Sequence, residues 1–437
     1  MQQLIRGRVL DFHADPQDTD DNHRYWENGA ILVEDGRIVA LGDHADLARE
    51  GLAEIDHRPH LILPGFIDPH LHFPQLQVIA SWGAQLLDWL NTYTFPAEAQ
   101  FADPDHAARM AGLFLDQLTA HGTTTAVAFC SSHKASAEAL FSAAHARDMA
   151  MVAGKVMMDR NAIPAVQDTP QSSYDDSAAL IAAWHGRGRQ LYAITPRFAI
   201  TSSPEQMEMA GALVRENPGL HLQTHLSENR DEIDFTLNLY PKARDYLDIY
   251  DHYGLLGPRT LLGHSIHLGP REIDRIAETD SRPVFCPTSN LFLGSGLFDA
   301  QGLRGRGITS GIATDVGGGT SWSMLTTLAE GYKILQLQGQ KMHPLTAFHW
   351  ATRGNALTLG LEAEIGTLAP GSAADLVVLD PRATPAMALR AERAETLAEE
   401  LFILQIMGDD RAVAQTYVAG RPCKEGPRGL QSAAERG

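Results

Sequence analysis

The chain has 437 residues, of which 44% are hydrophobic and 20% charged, and a formal net charge of −19. That length favours one large barrel-like domain with a smaller companion, and no stretch offers the roughly 18 uncharged apolar residues of a membrane span. The acidic balance, without a basic run, argues against nucleic-acid or anionic-membrane partners, because phosphate contacts need clustered Lys and Arg.

The N-terminus "MQQLIRGRVLDFHADPQDTDDNH" turns acidic early and lacks the apolar core of a signal peptide. Three widely separated cysteines, Cys130, Cys286 and Cys423, form no disulfide framework and suit a reducing compartment, so a cytoplasmic protein is expected. "LIRGRVLDF" and "GAILVEDGRIVALGD" alternate apolar residues around a Glu-Asp-Gly turn, the pattern of a β-hairpin. The same character returns near the C-terminus in "GSAADLVVLD" and "AVAQTYVAGRPC". Residues 1–62 and 370–425 are therefore expected to form one composite β-subdomain, a small β-sandwich, with 426–437 as a flexible tail.

Between them, residues 63–369 read as short apolar strands separated by helical stretches. The strand candidates are "LPGFIDPHLH", "TTTAVAF", "MVAGKVMM", "YAITPRF", "HLQTH", "TLLGH", "PVFCPTS" and "GITSGIATD". Segments such as "DHAARMAGLFLDQLTAHG" carry apolar residues at helical spacing. Eight such alternations predict the α/β class and a (β/α)8 TIM-like barrel. A doubly wound open sheet is the competing fold, but no Gly-x-Gly-x-x-Gly follows the first strand.

In such a barrel the chemistry sits where the strands end. Strand one ends in His70 and His72, which share a face because residues two apart on a strand point the same way. Strand four ends at Arg197 and Phe198, strand five at His225 with Glu228 three residues on, strand six at His264 and strand eight at Asp315. Singly, a strand-end histidine is more often a hydrogen-bonded core residue, and Asp315 would serve as a turn cap. Together, histidines and a carboxylate at one mouth suit a divalent cation such as zinc or iron.

"PGFIDPHLH" with His225, His264 and Asp315, the split β-subdomain and "GSAADLVVLD" resemble the amidohydrolase superfamily. Within it, "HFPQLQVIASWGAQLLDWLNTYTFPAE", "GKVMMDRN", "ITPRFAITSS", "THLSEN", "CPTSNLFLGSG" and "TDVGGGTSWSML" resemble the guanine deaminase family. The resemblance implies one Zn2+ per subunit held by His70, His72, His225 and Asp315, with Fe2+ as the other candidate. It implies hydrolysis of guanine to xanthine and ammonia, by attack of metal-activated water on the amine-bearing ring carbon. Glu228 would be the proton shuttle, His264 a hydrogen-bond partner of the attacking oxygen, and Asp315 would also orient the water. Gln75, Arg197 and Phe198 correspond to base contacts, and Trp89, Trp82, Tyr93 and Phe95 are expected to divide between pocket wall and lid packing. A homodimer is implied as well. Relatives with two metals bridge them with a lysine at the end of strand four; Arg197 stands there, so one metal is expected, and Lys155 is expected to pair a carboxylate instead. Trp322 is expected to touch a pocket wall, and Ser131, Ser132 and His133 receive no role. The competing readings are another aminopurine, a pterin or an azaheterocycle as substrate, and an inactive scaffold relative. The last predicts eroded ligands, whereas every ligand position and Glu228 is filled.

Overall fold

A computed structural model of the chain describes residues 2–82 and 86–424. The expected tail lies outside them. The first four strands are β1 (Gln2–Phe12), β2 (His23–Glu34), β3 (Arg37–Asp43) and β4 (Ala53–Pro64). The Glu34↔Arg37 register leaves a two-residue turn at Asp35 and Gly36, both at positive φ (48° and 80°), as the strand twist requires.

The barrel strands follow as β5 (Phe66–His72), β6 (Thr123–Phe129), β7 (Ala150–Gly154), β8 (Val156–Met157), β9 (Gln190–Pro196), β10 (His221–Leu226), β11 (Thr260–His264), β12 (Arg282–Phe285) and β13 (Gly311–Ile312). Lys155 interrupts the third predicted strand, dividing it into β7 and β8. The chain then returns through β14 (Leu376–Leu379), β15 (Val413–Val418) and β16 (Arg421–Pro422). The last three pair with the first four in one seven-stranded sheet, ordered β16-β15-β14-β4-β1-β2-β3. Ile5, Val9, Ile31, Ile62, Leu376 and Val378 pack together on one of its faces as a core of their own. The opposite face, with Leu10, Phe12, Leu63 and Val377, joins the main core against the barrel helices.

Within the barrel every strand runs parallel to its neighbour, in the order β13-β12-β11-β10-β9-β7-β6-β5. Strands covered on both faces need apolar residues on both, and β5, β6 and β10 are buried along their whole length. Ile67, Val127, Val152, Ala193, Leu261 and Val284, from six different strands, and Ala313, just after β13, fill the barrel as one apolar layer. Each Ile, Val or Leu among them contributes roughly 1.5–3 kcal/mol of burial.

The seam between β13 and β5 is closed by other groups. The Asp315 amide donates to the His70 carbonyl at 3.0 Å. Asp68 accepts from the Thr314 amide at 3.1 Å and from the Thr314 hydroxyl. The Asn355 side-chain amide donates to the carbonyls of Ile67 and Ile312 and accepts from the Ile312 amide. These contacts join the two strands that must deliver His70, His72 and Asp315 to one point. Among the described residues no helix is long and apolar enough to cross a membrane.

Candidate active site

One step beyond the apolar layer, at the same parity along the strands, the barrel changes character. Leu261 is followed by Gly263, Val284 by Cys286 and Ala313 by Asp315, while β10 presents Gln223 and then His225. Several strands leave the sheet through left-handed backbone, with φ of 68° at His264, 52° at Asp315 and 48° at Ser227. Such conformations concentrate at functional sites because they re-aim the chain sharply. The turn at Ser227 carries Glu228 to the mouth as a loop residue. Its spacing from His225 is thus not a helical turn, and the next helix begins only at Arg230.

The predicted donors meet. His72 Nε2 and His225 Nε2 face each other at 3.2 Å, and Asp315 Oδ1 lies 3.4 Å from His70 Nε2 and 3.3 Å from His72 Nε2. His225 Nδ1 donates to the Arg197 carbonyl at 2.8 Å, which leaves Nε2 with a bare lone pair aimed at the cluster. Both ring nitrogens of His70, Nδ1 of His72 and Oδ1 of Asp315 are buried and make no hydrogen bond. An unsatisfied buried polar atom costs about 1–3 kcal/mol, so several facing one point fit a cation. Burial opposes ionisation of Asp315, yet the His70 and His72 imidazoles beside it hold its carboxyl well below the usual range. Burial and the surrounding imidazoles keep His225 neutral, the form that ligates.

His264 and Cys286 also lie close to His70 and Asp315, but their hydrogen bonds give them other work. The Cys286 thiol donates to the Val284 carbonyl. Asn290 Nδ2 donates to His264 Nδ1 at 2.9 Å, which assigns the ring hydrogen to Nε2. Nε2 points at Glu228 Oε2, 3.4 Å away, and at Asp315 Oδ2, 3.7 Å away. Burial pulls the His264 pKa down to about 3, so the ring is a neutral donor. Glu228 is pushed well above its usual range by burial and by the Glu232 and Asp315 carboxylates. Its Oε1 is held by the Ser295 hydroxyl at 2.9 Å.

The cleft over these groups is lined by Gln75, Leu86, Trp89, Leu90, Arg197, Phe198, Ser289 and Leu293 together with His72, His225, Glu228, His264 and Asp315. The three predicted base contacts, Gln75, Arg197 and Phe198, therefore open into it, together with Trp89. Its outer wall is the segment after strand β5: helix Leu86–Trp89, a wide turn Leu90–Thr94 and helix Phe95–Ala99. Trp89 anchors the wall by donating from Nε1 to the Ser81 carbonyl at 3.2 Å. Of the other aromatics, Phe95 and Tyr93 pack in the wall segment as expected, whereas Trp82 neither lines the cleft nor packs in that segment. Phe95 lies under the Arg197 guanidinium, 5.4 Å from ring centre to carbon, Tyr93 packs within the wall, and Trp82 is exposed. Trp322 does not reach the cleft; it packs edge-on against Phe114. Lys155 pairs with Asp168, away from the donors.

Sequence reasoning missed four supporting residues. Glu98 accepts from Arg197 Nη1 at 2.8 and 2.9 Å and from Gln75 Nε2 at 2.9 Å. Its only signal was the three-residue spacing from Phe95, which puts both on one helix face. Asp68 shares parity with His70 and His72 and was legible on that ground. Asn290 and Ser295 carry no pattern of their own. Ser131, which had no role, donates its hydroxyl to the Glu98 carbonyl at 3.0 Å.

The position of His70 depends on a missing side chain. A Cβ on Gly263 would stand 2.4 Å from His70 Cε1. Gly263→Ala is expected to displace the ring and to weaken metal retention about 10–100-fold, the usual cost of disturbing a ligand's support. Metal content after dialysis checks this, and wild-type retention would refute it.

The profile of the amidohydrolase family matches residues 61–423. Guanine deaminase of Escherichia coli (strain K12) is 45% identical over 423 residues, covering 95% of this chain and 96% of that protein. A probable guanine deaminase of Deinococcus radiodurans is 37% identical, covering 95% of this chain and 97% of that protein. Among solved structures, E. coli guanine deaminase superposes with a TM-score of 0.95 over 97% of this chain and 99% of that one. Guanine deaminase from C. acetobutylicum, solved with guanine in its active site, is 29% identical with a TM-score of 0.85, over 97% of this chain and 100% of that one.

Proposed function

The chain belongs to the amidohydrolase family, in its guanine deaminase branch, and from that premise we propose that it hydrolyses guanine to xanthine and ammonia at a site for one zinc ion. His70, His72, His225 and Asp315 would hold the ion; the buried, unpartnered His70 Nε2 and Asp315 Oδ1 and the facing Nε2 atoms of His72 and His225 fit it, and the same nitrogen and oxygen set would accept Fe2+. When bound, such an ion lowers the pKa of water from 15.7 to about 7 and so supplies a nucleophile at neutral pH.

The chain's own groups do the rest. Water oxygen bonds to the amine-bearing ring carbon, and the adjacent ring nitrogen takes a proton from the Glu228 carboxyl, whose pKa burial raises. Glu228 recovers a proton from the attacking water and passes it to the exocyclic amine, which departs as ammonia as the C–N bond breaks, and the remaining hydroxyl proton returns to the Glu228 carboxylate as the carbonyl forms. A glutamate that is not a ligand plays this part in other zinc nucleobase deaminases. His264, with its hydrogen on Nε2, donates to the attacking oxygen as charge develops there. Asp315 orients the water. Arg197, and Gln75 through the N–H not given to Glu98, offer donors to the exocyclic oxygen of guanine, while Phe198 and Trp89 cover its faces.

The observation that carries the guanine reading is that Arg197 and Gln75 open into the same cleft as His72, His225 and Asp315. A cytoplasmic homodimer completes the proposal, supported by the likeness to the guanine deaminases and by free cysteines. Ammonia release from guanine, measured beside adenine, cytosine and a pterin with zinc content determined, tests it. Guanine is expected to be turned over and the others far more slowly; zinc-loaded protein inactive on guanine would overturn the reading.

A further inference from the structure

We propose that Glu98 is a positioning residue that selects the base, by holding Arg197 and Gln75 in one fixed arrangement at the cleft. The inference rests on the guanine reading of that cleft. The three residues come from separate segments: Gln75 follows β5, Glu98 lies on helix Phe95–Ala99, and Arg197 follows β9. All three are buried, at 1%, 1% and 3% exposure. One carboxylate oxygen of Glu98 receives both the Gln75 amide at 2.9 Å and Arg197 Nη1 at 2.8 Å.

Two consequences follow from the chemistry of that carboxylate. An ionised carboxylate only accepts, so the NH2 edge of Gln75 must face it. The Gln75 Oε1 edge then meets the Gly317 amide at 3.4 Å, and the orientation of the whole amide is set. Arg197 Nη1 is committed to Glu98, and Nε and Nη2 make no hydrogen bond among the described residues, so they are the donors left for a ligand oxygen. Phe95 under the guanidinium and the Ser131 hydroxyl on the Glu98 carbonyl fix the remaining freedom. An oxopurine meets prealigned donors, whereas a purine without the exocyclic oxygen leaves Arg197 Nε and Nη2 buried without an acceptor. That asymmetry, rather than pocket size, is what discriminates strongly between analogues.

The test uses Glu98→Gln in the full zinc-loaded chain. The carboxamide keeps the shape but turns an NH2 group towards one of the two donors it formerly bound. The measurements are kcat and KM for guanine and the competitive inhibition constant of 2-aminopurine, which has the same ring and amine without the oxygen. KM for guanine is expected to rise about 100-fold with kcat changing much less, and the 2-aminopurine constant to move less than about threefold. Glu98→Asp, which keeps the charge, is expected to recover part of the loss in KM. Equal losses for both bases, or unchanged guanine kinetics, would overturn the inference. Should Glu98→Gln give no folded protein, Glu98→Asp carries the same test through the ratio of the two constants, which must fall at least about threefold. A wild-type protein inactive on guanine would instead refute the substrate reading.

Discussion

Glu228→Gln is expected to lower kcat on guanine by about 10³-fold or more, while the protein keeps its full metal content and its fold. Positioned acid–base groups contribute about 10²–10⁴-fold, and Glu228 is assigned two proton transfers in one cycle. The substitution is nearly isosteric. The amide oxygen can still accept from the Ser295 hydroxyl, which holds Oε1 at 2.9 Å. What disappears is the carboxyl that carries the proton, whose pKa burial and the neighbouring Glu232 and Asp315 carboxylates raise. Because the donor atoms facing one another belong to His70, His72, His225 and Asp315, metal content has no reason to change. Steady-state kinetics with metal analysis of the same preparation decides the matter. Activity within tenfold of wild type would remove Glu228 from the proton path.

Asp315→Asn is the complementary experiment, with loss of metal and activity together. Asp315 supplies the one anionic donor, with Oδ1 within 3.4 Å of two imidazoles and no hydrogen bond of its own. An amide there is neutral, and its NH2 edge would present hydrogens to the same point. Retained metal is expected to fall at least about 100-fold in affinity, beyond the cost of losing an outer-shell support. The melting temperature should fall in parallel, because ion binding and folding are linked. Chelation of the wild-type protein is expected to abolish activity and readdition of zinc to restore it, whereas Asp315→Asn stays inactive at the same zinc concentration. Full metal occupancy in Asp315→Asn, with only KM altered, would show that the carboxylate is no ligand. The two variants thus separate ion binding from proton transfer, which a loss of activity alone cannot do.

Much of this centre was legible before folding because a parallel barrel is a regular object. Period-two patterning sends His70 and His72 to one face, and a barrel gathers strand ends at one rim, so strand-end residues predict neighbours. That logic reached His225, His264, Asp315 and Arg197 although 153 residues separate His72 from His225. It failed for groups delivered by irregular chain. Glu228 stands out by its position three residues after His225, but the left-handed turn at Ser227 that carries it to the mouth has no signal in that spacing. Trp322 was expected at the pocket wall and packs on Phe114, because turn geometry rather than order along the chain sets which way it points.

The sequence by itself determined the alternation of strand and helix, the apolar layer that fills the barrel and the donor types at its rim. These follow from local periodicity, which a chain carries without knowing its partners. Tertiary structure alone decided which of those donors face one another, that His264 presents a hydrogen where His225 presents a lone pair, and that one carboxylate from the wall segment governs both Arg197 and Gln75. The reason is physical. A hydrogen bond such as Asn290 to His264, or Glu98 to two residues at once, depends on distances of about 3 Å between segments remote in sequence, and periodicity holds no information about them.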